Sequence, residues 1–165
     1  MINPSRIKLG EIIAPRFWIV CNRYKKICGP ARLACWPYDR PMAGENIERN
    51  KNDGVYAFKD KFRIYDYVEQ NRNEIRDFLA REPCAWMQPT GLVIGTIRMW
   101  GYVVPAETGY RAQFGRVQTL DEIIDLPDLV MRRTEGDDLS FLRQQYGLRS
   151  AAVIHSQPLA NSGWA

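Results

Sequence analysis

Five side chains near the middle of the chain have the types that grip nucleic acid: Arg98, Trp100, Tyr102, Arg111 and Arg116. A guanidinium neutralises phosphate and stacks on rings, and an exposed indole or phenol offers a flat surface to a base. Alternation along a strand lines up Arg98, Trp100 and Tyr102 on one face. Lys25 and Lys26 add charge in the more basic front of the chain, where residues 1–60 carry eleven Lys/Arg against six Asp/Glu. Residues 121–165 carry four against seven, so an anionic partner would be steered toward the front. The competing reading is that Trp100 and Tyr102 are core and Arg111 is structural. Large rings on a central strand are mostly buried, so Trp100 is expected inside. Arg111 is expected to be partly buried, tying the hairpin to residues 24–53 or to the sheet.

Other chemistries are less well served. Cys21, Cys28 and Cys35 recur every seven residues, whereas structural zinc sites pair ligands two to four residues apart. A four-cysteine site using Cys84 is conceivable, but buried thiols, with no metal and no cofactor, are the expectation. One histidine, His155, leaves little for a Cys–His pair, and Asp137 with Asp138 fits a helix cap better than an acid pair. No glycine-rich phosphate loop leads into a helix. Catalysis is therefore not the favoured reading.

The elements that would position these groups are legible in part. Arg16–Asn22 reads as a first strand and Gly54–Phe58 as a second. Gly91–Val104 is β-branched and aromatic with apolar residues on both faces, so it should be covered on both sides. Gly95 and Gly101 within it mark bulges or sharp coiling. Pro105–Gly109 turns the chain into a partner strand, Tyr110–Val117. Helices are expected over 60–82 (with Asn71 and Glu74 as a capping pair, and with Asp60–Glu69 either part of it or a separate short helix), 120–126 and 138–146. Thr119–Glu122 supplies a capping box for the second, and Gly147 and Leu148 a glycine cap for the third. Residues 24–53 form a Pro- and Gly-rich loop that is expected to pack and to be functional. Ala152–His155 could add an edge strand, and residues 150–165 form a loosely ordered tail.

These elements make one α+β domain, 1–165: a strongly bent antiparallel sheet or small β-barrel with about three flanking helices. At 165 residues, 45% hydrophobic and 25% charged, the chain can bury a core without disulfides. It carries no bilayer-length apolar run and no signal-like start, and four cysteines are few, which points to a cytoplasmic protein without a membrane partner.

Gly54-Val-Tyr-Ala57, Gly95-Thr-Ile-Arg-Met-Trp-Gly-Tyr-Val103 and Gly109-Tyr-Arg-Ala-Gln-Phe114, with Leu120, resemble an uncharacterised bacterial family. Its motifs run Gly-Ile-Tyr-Ala, Gly-x-Val-x-Leu-Trp-Gly-x-Val and Gly-Tyr-Arg-Ala-Glu. Val55, Met99 and Gln113 depart from that pattern, and Gln113 removes a carboxylate. The resemblance covers about residues 54–120 and implies no activity. The Gly91–Ile97 strand with its hairpin is also similar to the barrels of PUA-type modules, the ASCH group included, which implies binding of RNA or modified bases by analogy. The function expected is thus a non-enzymatic binding module for nucleic acid or a nucleoprotein partner, with Arg98, Trp100, Arg111, Arg116, Lys25 and Lys26 as contacts. The alternative is an adaptor subunit of a bacterial or phage assembly that meets a protein partner through residues 24–53.

Overall fold

The computed structural model describes residues 8–23, 25–30, 35–44, 54–81, 84–125 and 136–148. Six strands form one antiparallel sheet. They are β1 (Lys8–Cys21), β2 (Lys26–Cys28), β3 (Met42–Ala43), β4 (Val55–Phe58), β5 (Pro89–Pro105) and β6 (Gly109–Asp125). The order is β2-β1-β5-β6-β3, and β4 also pairs with β6. Helices α1 (Lys61–Gln70), α2 (Arg72–Ala80) and α3 (Gly136–Gln145) pack against it. The α+β class follows, and no helix of the described residues is long and apolar enough to cross a membrane.

The alternation in β5 sorts side chains into two cores. Val93, Ile97, Met99 and Val103 face inward with Ala14, Trp18, Val20, Ala112 and Leu142. Leu92 and Ile94 face outward with Phe17 and Ile19, under Ile64 and Val68 of α1 and Leu79 of α2. Both faces of this half of β5 are dry, as its unbroken apolar run predicts. The two glycines sit where the register slips. At Gly95 a Cβ would lie 1.9 Å from the Thr119 carbonyl oxygen, and the β5–β6 pairing shifts between Ile94 and Gly95. Gly101 has φ +81° inside the shift between Trp100 and Val103.

Three expectations are corrected. The helix expected over 120–126 is replaced by strand at residues 120–125, because β6 runs on to Asp125, pairing Ile124 with Leu92 and Leu120 with Gly95. Both capping side chains are engaged elsewhere. The Thr119 hydroxyl accepts from the Thr96 amide at 3.1 Å, and Glu122 accepts from the Tyr65 hydroxyl. A local cap contributes about 1 kcal/mol, less than the ladder and the burial of Leu120 together. The first strand begins at Lys8 rather than Arg16. Pro15 is tolerated there because β2 pairs only with Ile19–Cys21, so that no strand among the described residues pairs with the other edge of β1 alongside it. The Asn71 cap is not made: the helical segment divides at Asn71 into α1 and α2, and the Asn71 side chain donates to the Tyr67 carbonyl at 2.8 Å and caps nothing on α2.

The sheet is strongly curved but is not a closed barrel. Among the described residues no ladder joins β4 to β1; instead the Arg16 guanidinium reaches across and donates to the Tyr56 carbonyl. β4 is four residues long, too short to zip the seam. The α3 cap is as expected: Gly147 has φ +68°, and the Leu148 amide donates to the Arg143 carbonyl at 2.7 Å. Ala152–His155 and the 150–165 tail lie outside the described residues.

Candidate binding surfaces and a three-cysteine cluster

Arg98 and Trp100 share the outward parity of Leu92 and Ile94, but α1 and α2 do not reach that far along the strand. In the register Arg98 lies directly opposite Arg116, and Trp100 opposite Phe114. The Trp100 and Phe114 rings stack with centroids 5.8 Å apart and planes 26° apart. The Arg98 guanidinium lies 5.7 Å from the Trp100 ring centre and pairs with Glu11 of β1. Arg98 and Arg116 are exposed; Trp100, Tyr102 and Phe114 are half-buried. Trp100 is therefore not core, against the expectation. It lies beyond the helices, and the slip at Gly101 interrupts the β5–β6 pairing beside it until Val103.

The other expected contacts lie elsewhere. Arg111 is 6% exposed, opposite Tyr56 on β4 and Val104 on β5, consistent with a structural role. It is five residues along β6 from Arg116, about 17 Å at strand rise. Lys25 adopts φ 55° in the β1–β2 turn and donates to Asn22 Oδ1 at 2.8 Å. Lys26 is paired with Cys21 and holds its Nζ 4.9 Å from the centre of the Tyr38 ring. Cys21 is eight residues from Ile13, the neighbour of Arg98, so both lysines sit about 26 Å away along β1. The structure thus joins Arg98, Trp100 and Arg116 and separates Arg111, Lys25 and Lys26 from them.

In the sequence Arg16 is only the start of a strand, yet it borders the larger of two adjoining cavities. Its guanidinium lies 5.0 Å from the centre of the Trp36 ring and 5.7 Å from that of Trp18. Its Nε is enclosed without a hydrogen-bond partner. Desolvation pulls its pKa down from 12.5 to about 10, so it remains a cation at neutral pH. The cavity beside it is about 620 Å³, walled by Phe17, Tyr56, Phe58 and Tyr67, with Arg63 and Asp66 of α1 at its polar side. The signal in the sequence is a charge set between Ile12-Ile13-Ala14-Pro15 and the apolar run Phe17–Cys21. Strand periodicity alone gives such a residue no destination.

The cysteines are closer than their spacing suggested. Cys21 ends β1, Cys28 ends β2, and Cys35 forms an antiparallel bridge to Cys28. Their three Sγ atoms all lie within 4.8 Å of one another, and Cys28 and Cys35 are 3.2 Å apart. Cys21 Sγ also donates to the Met87 carbonyl at 3.2 Å. Cys21 and Cys28 are buried and Cys35 half-buried. Hydrogen bonding to Cys21, then burial, holds the Cys28 thiol far above its ordinary pKa. Cys84 is buried outside this triad, on the turn that leads to Met87. Asp137 and Asp138 fall in the first turn of α3, and His155 lies outside the described residues. No family model, no curated protein and no solved structure matches the chain.

Proposed function

We propose that the chain is a binding module for single-stranded nucleic acid, read on the open half of the outer sheet face. The observation that carries this is the direct opposition of Arg98 and Arg116 beside the Trp100–Phe114 stack. Like charges opposite each other in a ladder oppose pairing, and among the described residues Glu11 offsets Arg98 alone. An anionic backbone supplies the missing countercharge, while the half-buried rings accept bases. The test is fluorescence anisotropy with labelled single-stranded DNA and RNA across a salt series. Trp100→Ala is expected to weaken binding about 10- to 100-fold, and Arg116→Ala to lower the salt slope by about one. A folded Trp100→Ala protein that binds like wild type would sink the reading.

The Arg16 cavity favours a second reading, a nucleotide-sized ligand with an anionic group. Its volume falls in the range of small-molecule sites, and its guanidinium has no carboxylate partner among the described residues. Calorimetric titration with nucleoside monophosphates separates the two, since Arg16→Met should abolish cavity binding and leave the sheet face intact. The adaptor alternative rests on residues 24–53, of which 24, 31–34 and 45–53 lie outside the described residues.

A further inference from the structure

We infer that Cys21, Cys28 and Cys35 form a thiolate site for Zn²⁺. The sequence argues against it only through spacing, since six intervening residues make no chelate turn. The fold supplies what the spacing lacks. The β1–β2 hairpin pairs Ile19 with Cys28 and Cys21 with Lys26, which brings Cys21 diagonally beside Cys28. The bridge then sets Cys35 on the far side of Cys28. Three adjacent chain segments thus each deliver one sulfur to the same point.

The distances suit the ion. Zn–S bonds of about 2.3 Å in tetrahedral array place sulfurs about 3.8 Å apart. The three sulfurs here span separations from 3.2 Å up to at most 4.8 Å, within reach of small side-chain rotations. Inert buried thiols have no reason to converge, and three of the chain's four cysteines do so here. A Cys28–Cys35 disulfide is the rival, but it would leave the convergence of Cys21 unexplained. On binding, three S–H bonds break, three Zn–S bonds form and three protons leave to solvent. The product carries one net negative charge, with Lys25 and Lys26 on the same hairpin. Half-buried Cys35 leaves the fourth position to solvent water. The ion would tie β1 and β2 to Cys35 and so seat Trp36, the ring that walls Arg16.

The test uses the full chain, expressed in zinc-supplemented medium and purified under reductant without chelator. Elemental analysis should find one zinc per chain. Metal-free protein titrated with Zn²⁺ should release protons, and Co²⁺ should give thiolate-to-metal charge-transfer absorption. Cys21→Ser, Cys28→Ser and Cys35→Ser should each weaken Zn²⁺ binding at least about 100-fold, more than loss of an outer-shell partner; Cys84→Ser should not. Where a serine variant fails to fold, alkylation of the wild type reads the same question, Zn²⁺ protecting all three thiols. Zinc binding equal in wild type and Cys35→Ser, equal alkylation with and without Zn²⁺, or an isolated Cys28–Cys35 disulfide without zinc would each overturn the inference.

Discussion

Arg16 and Arg98 lie on neighbouring strands, and both lie near tryptophan, yet their surroundings are opposite. Arg16 is wedged between Trp18 and Trp36 with one backbone carbonyl as acceptor and an unsatisfied Nε. Arg98 stands in solvent with a carboxylate, Glu11, and a half-buried ring, Trp100. Half-buried with an enclosed Nε and no carboxylate partner among the described residues, the Arg16 guanidinium is held at a cost in free energy by the packing around it and is poised for an anion. An exposed pair costs little and contributes little, so Arg98 is free to exchange Glu11 for phosphate. The same residue type thus makes an enclosed site in one place and an exchangeable contact in the other.

The tryptophans test this contrast most strongly. Trp36→Ala removes a buried ring that packs edge-on against Trp18 at 5.4 Å and should cost about 3–5 kcal/mol. Trp100→Ala loses only the covered part of a half-buried ring and should cost about 1–2 kcal/mol. Urea denaturation of both variants decides the point, and equal costs would erase the distinction between an enclosed and an open site.

The arginines themselves come next. Arg111→Lys should lower stability by about 1–3 kcal/mol, because a single ammonium cannot reproduce a buried guanidinium's planar set of donors. Arg16→Met should leave stability unchanged or raise it by up to about 2 kcal/mol, since an apolar side chain of similar length removes a desolvated charge. A large loss in Arg16→Met would mean that the bond to the Tyr56 carbonyl across the seam, rather than a ligand, accounts for that arginine.

The smallest effect is expected at the exposed pair. Glu11→Gln should change the melting temperature little, within about 0.5 kcal/mol. It should also tighten binding of single-stranded oligonucleotides several-fold at low salt, with the gain vanishing as salt rises. Unchanged affinity would remove the open face as the anion contact.

The β5–β6 hairpin was readable because its composition, its two glycines and its alternation agree with one another. The α3 cap was readable because Gly147 and Leu148 act locally. What escaped depends on pairing between distant segments. Residues 120–125 look like a capped helix until β5 presents a full-length partner strand. Lys8–Pro15, with Gly10, Glu11 and Pro15, has no strand signature of its own and is a strand because residues 96–103 lie beside it. The cysteines were judged by spacing along the chain, whereas a hairpin and a bridge, neither visible in that spacing, bring them together. Alternation puts Arg98 and Trp100 on one face, and the register sets Arg116 opposite Arg98. Membership of the neighbouring strand brings in Arg111 as well as Arg116, and charge brings in Lys25 and Lys26; neither carries a distance.

Helix α3 is fastened to the sheet at points far apart in sequence. The Tyr146 hydroxyl accepts from the Ile27 amide at 3.2 Å and donates to the Trp36 carbonyl at 2.7 Å. Arg143 donates to the carbonyls of Leu120 at 2.7 Å and Asp121 at 3.3 Å, and Leu142 enters the inner core. Covalent continuity through residues 126–135 is therefore not what places the helix. A polypeptide severed between those positions should keep α3 seated, and the two pieces should elute together under native conditions and part only in denaturant. That makes the molecule divisible between α3 and the sheet into two separately encoded pieces, one large and one small, that reassemble.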